Sequence, residues 1–595
     1  MQLLFFKHAL EPEYLEKFSE QLLALVDALG TAIIADISKR LVKTGEITET
    51  SRRQAEILQG AGLLYKDVLK RVSQVSGYMN TEVERVFEEA GVRNLKNEAV
   101  IYKAAGEKEI KLHQSETMQK ILAANVRKTK EEINNLTLTT AVKTQSAYIT
   151  ACNKAMMKVQ TGAFSYDKAI ADAIKEAAVQ GTEVLYPSGH VDKLDVAVRR
   201  AVLTGVNQSA VEMNLQYVKE SGCDHVETTA HSGARPTHAV WQGKVFCVSG
   251  KDSRYPPFYE STGYGTGAGL CGWNCRHNFH AFFPGISTPA YSQEMLDDYS
   301  ARKYEYNSKK YTEYELSQMQ RSQERKIRAT KRKLTGYDAG IKNTDSNTLK
   351  AELTNRFESE SAELKKQEKS LKKFCRQTGR RYESARTQVH AVLDSEGNIV
   401  GFNKSVAQKA VWASKRHTSK MQMAEQLNKL SDEERLAVQR YTGFAAHRVN
   451  RALYSGKSQM IEKEREYMNL LDSALDKGVT EHKMIVHRDT IPEFLNAFPK
   501  GFEYSDKNMR MLKGKILTNV GYTSTSFRDL QYRGRNVHLE IEVPKGYRGC
   551  LYIESLATKK YKYQQEVLFK RGFRYIIKDI KKENGRYYMK AEAIL

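Results

Sequence analysis

Hydrophobic and polar residues recur with different periods along the chain, and those periods divide it. Leu22, Leu25, Val26, Leu29 and Ile33 fall on one helical stripe, with Asp27 off that face. No proline lies between Pro12 and Pro187, nor between Pro289 and Pro492. Such breaker-free tracts, rich in Ala, Leu, Glu, Lys and Gln, favour helix. Between them the pattern changes: from Cys223 to His277 glycine, proline and aromatic residues crowd together, which predicts a compact, turn-rich region. From Ser292 to about Arg381 the chain is polar and charged. Its basic run Arg321–Leu334 reads as an exposed helix, a solvated face or interdomain strut, and Leu349–Phe374 as another.

The last third behaves differently again. Val389–Leu393 and Ile399–Phe402 predict a hairpin turning through Asp394–Asn398. Ser431 and Glu434 form a capping box, and Tyr467, Leu470, Leu471, Ala474 and Leu475 stripe a second helix. Val537, Leu539, Ile541 and Val543 then alternate with His538, Glu540 and Glu542, a half-buried strand stopped by Pro544. Asn584-Gly585 joins two further strand patterns as a hairpin. Helices followed by short strands indicate an α+β domain. The expected architecture is multidomain: a mainly α N-terminal half with a compact turn-rich α+β region, a helical connector, and an α+β C-terminal domain. The boundaries fall at 1–195, 196–291, 292–384, 385–424 and 425–595.

Composition narrows the setting. A net charge of +23 suits a protein that meets nucleic acid or another acidic surface, and seven cysteines in 595 residues are no disulfide framework. The apolar start Met1–Phe6 is cut short by Lys7 and Glu11, so no signal peptide is expected. Asp27 and Asp36 interrupt the apolar segment Leu22–Ile37, at ~2.5–3.5 kcal/mol each in a bilayer core. That segment therefore reads as a buried amphipathic helix, and no membrane partner is expected.

Two blocks in the turn-rich region carry a resemblance. Arg235-Pro236-Thr237-His238-Ala239-Val240-Trp241-Gln242-Gly243 and Gly269-Leu270-Cys271-Gly272-Trp273-Asn274-Cys275-Arg276-His277 resemble phage minor capsid proteins of the Mu F-like head-protein and minor capsid protein 2 group. The resemblance implies a low-copy virion component whose partners are portal and capsid proteins, close to packaged DNA. Cys271, Cys275 and His277, with His231, His238 or Cys247 as a fourth ligand, have zinc-compatible chemistry. Their Cys-x3-Cys-x-His spacing is not that of a standard knuckle. Buried thiols and hydrogen-bonded histidines are the favoured reading, and no metal is assigned. Gly263–Gly269 miss the dinucleotide fingerprint and read as tight turns.

Three C-terminal segments carry the second resemblance. Lys483–Thr490 is a strand pattern with Arg488 near its end, and Gly521–Phe527 is a hydroxyl-rich strand containing Ser524, Thr525 and Ser526. Tyr561–Phe569 places Gln564 and Glu566 two apart, on one face if the segment is a strand. Arginine, Ser-Thr-Ser and Gln-x-Glu in this order, after the helical lead-in Leu430–Glu434 and Tyr441-Thr442-Gly443, resemble the ADP-ribosyltransferase exoenzymes. The resemblance implies NAD as substrate and Glu566 as the catalytic carboxylate. It implies Arg488 on the NAD phosphates and Ser524 orienting Glu566 and the nicotinamide ribose, with Thr525 and Ser526 supporting the strand beside the dinucleotide. Tyr561 and Gln564 match the acceptor-recognition turn. Glutamine at this place is the choice of Rho-modifying relatives that act on asparagine, whereas arginine-modifying relatives carry glutamate. Taken together, the two resemblances imply a phage minor head protein carrying a mono-ADP-ribosyltransferase for a host protein acceptor, located in the virion and then the host cytoplasm. The alternative is a purely structural portal-associated protein with an inactive C-terminal binding module.

Overall fold

The computed structural model describes residues 14, 20–43, 50–161, 164–389, 392–393, 399–401, 404–455, 462–495, 504–530, 532, 534–558 and 561–595. The chain divides into two compact units, Met1–Ala410 and Val411–Leu595, with the boundary inside one helix, Lys404–Gln426.

The first unit is built on long helices: α1 (Glu20–Lys43), α2 (Thr50–Ala104), α3 (Glu116–Gln160), α4 (Tyr166–Gln180) and α5 (Leu194–Glu220). Beyond them a three-stranded antiparallel sheet has β1 (His225–Thr228) at its centre, flanked by β2 (Val245–Cys247) and β3 (Phe279–Ala281). The surrounding turns are tight, as the glycines predict. A Cβ on Gly269 would lie 2.0 Å from the Gly263 carbonyl oxygen, so only glycine fits. Helices α6 (Glu313–Asn343) and α7 (Asn347–Thr378) follow, and α6 opens on a full capping box between Thr312 and Glu315. The predicted hairpin survives as strands Val392–Leu393 and Ile399–Gly401, which pair antiparallel. Its turn, 394–398, lies outside the described residues.

Two expectations fail together here. Helix α6 is not an exposed strut: Leu316, Ile327 and Leu334 are buried, and so are Lys331 and Arg332. Nor does Asp27 face solvent; it is 4% exposed. Arg328 binds both Asp27 and Asp195 at 2.6 Å, and Arg332 binds Asp195 at 2.6 Å, forming a cluster of two arginines and two aspartates. Each charge looks solvent-facing along its own helix because its partner is distant in sequence. Helix α1 is long and apolar enough to cross a membrane by length and composition, but 72% of its most apolar window is buried inside the protein. That agrees with its reading as a core helix.

The second unit packs helices against a mixed eight-stranded sheet. Its longer helices are α8 (Lys404–Gln426, which straddles the boundary), α9 (Asp432–Arg440), α10 (Ala446–Ser455) and α11 (Glu462–Asp476). Ser431 and Glu434 form the expected capping box at the start of α9. The strands are β4 (Met484–Thr490), β5 (Ile516–Asn519), β6 (Thr523–Ser526), β7 (Val537–Val543), β8 (Cys550–Tyr552), β9 (Glu566–Phe569), β10 (Phe573–Glu583) and β11 (Arg586–Ala593). Their order is β5-β10-β11-β7-β4-β6-β9-β8, and β10 turns into β11 through Asn584-Gly585, both at positive φ.

Both faces of this sheet are covered. Val486, Leu539, Ile541, Val567 and Phe569 belong to one core, while Leu551 and Leu568 join Val438, Leu471 and Leu475 of the helices in another. The sheet narrows at one place. β4 pairs with β7 over seven register positions but with β6 only at His487↔Ser526. This seam is where the candidate site lies.

Candidate active site

Arg488, Ser524 and Glu566 come together at the seam. Strand β4 carries Arg488, whose Nη1 donates to the Ser524 carbonyl oxygen at 3.2 Å. Strand β6 carries Ser524, which is exposed, while Thr523, Thr525 and Ser526 are buried. Strand β9 begins at Glu566, which pairs with Ser526 across the ladder and is only 8% exposed. Burial raises the Glu566 carboxyl above the usual carboxylate range; a hydrogen bond from Ser524 and the positive charge of Arg488 oppose that shift. A buried carboxylate, a hydroxyl bound to it and a guanidinium beside it can stabilise a developing cation while gripping an anion.

The helices complete this constellation with residues the motif pattern does not name. Tyr441 follows α9, and burial keeps its phenol protonated; it feels the Glu566 charge and is hydrogen-bonded to Ser524 and to Asn450. Asn450 donates from Nδ2 to Tyr441 Oη at 2.9 Å, and its Oδ1 accepts from the Tyr522 N–H at 2.9 Å. Helix α10 is thereby tied to the entrance of β6. The approach is close enough that a Cβ on Gly521 would sit 2.6 Å from Asn450 Oδ1. One helical turn on, Tyr454 is hydrogen-bonded to Arg488 and to Asn519. Asn450 and Tyr454, four apart, were legible only as neighbours on one helical face.

Gln564 departs from the expected geometry. It is not on the strand with Glu566 but ends a 3₁₀ turn, Lys562–Gln564, and Gln565 after it adopts the left-handed conformation, φ 50° and ψ 53°. Alternation therefore breaks between Gln564 and Glu566. The break is held by donors from elsewhere. Ser526 Oγ donates to the Gln564 carbonyl at 2.5 Å, Arg528 Nη1 to that of Tyr563 at 2.8 Å, and the Phe527 N–H to that of Gln565 at 3.2 Å. Lys420 of α8 reaches the Gln565 side-chain oxygen in a buried contact. Tyr561 and Gln564 both lie on this turn and are half-buried. Thr525 Oγ1 donates to the Val567 carbonyl at 2.8 Å, so Thr525 and Ser526 spend their hydroxyls on backbone. Of the Ser-Thr-Ser hydroxyls, Ser524 is the exposed one.

Comparison with known proteins accounts for both units. Residues 10–376 match the family model described as phage minor capsid protein 2. The chain belongs to that family. Residues 416–595 of this minor capsid protein match the ADP-ribosyltransferase exoenzyme family model, so a transferase exoenzyme domain follows the capsid region. A structural protein of Lactococcus phage LL-H is 29% identical over 187 residues, covering 30% of this chain and 47% of the phage protein. The chain thus spans about half the length of that relative. The epidermal cell differentiation inhibitor of Staphylococcus aureus is 24% identical over 180 residues, covering 27% of this chain and 72% of the inhibitor. Among solved structures, Plx2a, an ADP-ribosyltransferase toxin from Paenibacillus larvae, is 24% identical with a TM-score of 0.28, covering 30% of this chain and 96% of its own. C3stau2 from S. aureus, solved with NAD, is 24% identical with a TM-score of 0.26, covering 30% and 94%.

Proposed function

We propose that this minor capsid protein is carried in the phage head, and that its C-terminal domain cleaves NAD and transfers ADP-ribose to a side chain of a host protein. The observation that carries the reading is the meeting of Arg488, Ser524 and Glu566 at the narrow seam between β4 and β6. Breaking the nicotinamide–ribose bond builds positive charge on the ribose. Glu566, itself only 8% exposed, supplies a fixed negative charge where that cation develops. Ser524 holds the carboxylate in place. The planar fork of Arg488 suits the NAD diphosphate better than an ammonium would.

The turn Tyr561–Gln565 meets the acceptor. Gln564 offers a neutral amide, which can hydrogen-bond another amide but cannot take a proton from a guanidinium. Asparagine or another neutral side chain is accordingly the acceptor, rather than arginine. The basic chain, with net charge +23, suits a protein stored beside packaged DNA and delivered with it into the host cytoplasm.

Incubating the full-length chain with labelled NAD and host lysate tests this reading. Wild type should label a discrete host protein and Glu566→Ala should not. Equal labelling by the two removes the enzymatic reading, and no labelling by wild type leaves a structural head protein with a binding module.

A further inference from the structure

The turn-rich region of the first unit gathers three metal-binding side chains for which the transferase has no use. His238, from the short helix Pro236–Ala239, meets Cys275 and His277 from the segment leading into β3. All three are buried, and one ligand atom from each lies within 4.8 Å of the others. We propose that His238, Cys275 and His277 bind a zinc ion through the two Nδ1 atoms and the Cys275 sulfur, with the fourth position left to water.

Hydrogen bonds fix which nitrogen each ring presents. The His231 backbone N–H donates to Gln242 Oε1 at 3.1 Å, so that atom is the amide oxygen, and it lies 3.0 Å from His277 Nε2. His277 Nε2 must therefore carry the hydrogen. His238 Nε2 faces the Ala268 carbonyl at 3.0 Å and carries its hydrogen for the same reason. Both Nδ1 atoms are left as bare lone pairs, and both face Cys275 Sγ at 3.6 Å. A thiol has one hydrogen and satisfies one of them; the other acceptor would stay unpaired in a buried site, at a cost.

A zinc ion removes the conflict, because the thiolate and both lone pairs become ligands and the thiol proton leaves to solvent. A ring N–H held by a carbonyl oxygen is the outer arrangement that orients zinc-bound histidines. The spacing agrees as well: Zn–S of ~2.3 Å and Zn–N of ~2.05 Å at a tetrahedral angle put sulfur and nitrogen about 3.6 Å apart. The backbone N–H of His277 also donates to Cys275 Sγ at 3.4 Å. The His231 ring stacks on His277 with centroids 4.4 Å apart, and among the described residues its buried Nε2 has no hydrogen-bond partner. Cys271, which the sequence spacing paired with Cys275, instead donates to the His277 carbonyl at 3.5 Å and lies outside the group. Imidazole with thiolate selects zinc over magnesium or calcium. Such an ion would join the Pro236–Ala239 helix to the approach of β3.

Elemental analysis of the full-length chain, followed by cobalt replacement, tests the proposal. One zinc per chain is expected, and Co²⁺ in its place should give a thiolate-to-cobalt charge-transfer band with intense four-coordinate visible bands. Cys275→Ser should abolish the charge-transfer band, and Cys152→Ser in α3 should leave it intact. Wild-type protein without zinc, or with a six-coordinate cobalt spectrum lacking that band, overturns the assignment, as does a band that survives Cys275→Ser. Should Cys275→Ser fail to fold, the wild-type cobalt spectrum decides alone.

Discussion

Replacing Arg488 by alanine separates the two duties of the site, because one guanidinium both grips the dinucleotide and moderates Glu566. In the free protein Arg488 is half-buried, donates to the Ser524 carbonyl at 3.2 Å and is hydrogen-bonded to Tyr454, so its removal should cost the fold about 1–3 kcal/mol. Toward NAD it would lose charge-assisted bonds to phosphate, about 1.5–3 kcal/mol, or roughly 10- to 150-fold in Kd. The pH profile carries a second signature. Catalysis needs the Glu566 carboxylate, and burial already raises its pKa, so activity should fall on acidification at a pH above the ordinary carboxylate range. Arg488 is one of two groups pulling that pKa down; without it the acid limb of kcat/KM should move to higher pH. Calorimetry with NAD and a pH series of nicotinamide release measure the two effects. Unchanged NAD affinity together with an acid limb at the wild-type pH would refute the reasoning.

Further outcomes follow from the same structure. Gln564→Glu supplies a proton acceptor on a half-buried turn, so it should gain labelling of an arginine analogue such as agmatine while losing the native acceptor; gel labelling reads both. Lys420→Met removes the buried contact to the Gln565 side-chain oxygen and should loosen the recognition turn, raising the acceptor KM while nicotinamide release persists, with a stability cost of about 1–3 kcal/mol by urea unfolding. Asp195→Asn leaves Asp27 as the one carboxylate facing the half-buried Arg328 and the buried Arg332 and should destabilise the first unit by about 3–5 kcal/mol, seen as an earlier transition in calorimetry.

Patterns with a short period were legible in the sequence. The strand Val537–Val543, the Ser431–Glu434 cap and the Asn584-Gly585 turn sit where alternation and local chemistry place them. The convergence of Arg488, Ser524 and Glu566 was legible only as an ordered set of motifs, since the register that joins them depends on one ladder position. What escaped was long-range. Asp27 and Arg328 stand 301 residues apart, so each looked like a surface charge. Asn450 pairs with Tyr522 from 72 residues away. The left-handed Gln565 escaped for a local reason: glutamine rarely adopts that conformation, so the strand seemed to run through Gln564.

The central claim is that Glu566 acts as a fixed negative charge in NAD cleavage. Nicotinamide release by full-length Glu566→Gln against wild type tests it most directly, because glutamine keeps the size and a hydrogen bond to Ser524 but not the charge. The account predicts turnover lower by about 10²–10³-fold, with KM for NAD near wild type. It also predicts a Tm no lower than wild type, since a buried carboxylate has been neutralised. Turnover equal to wild type in the folded variant would contradict it.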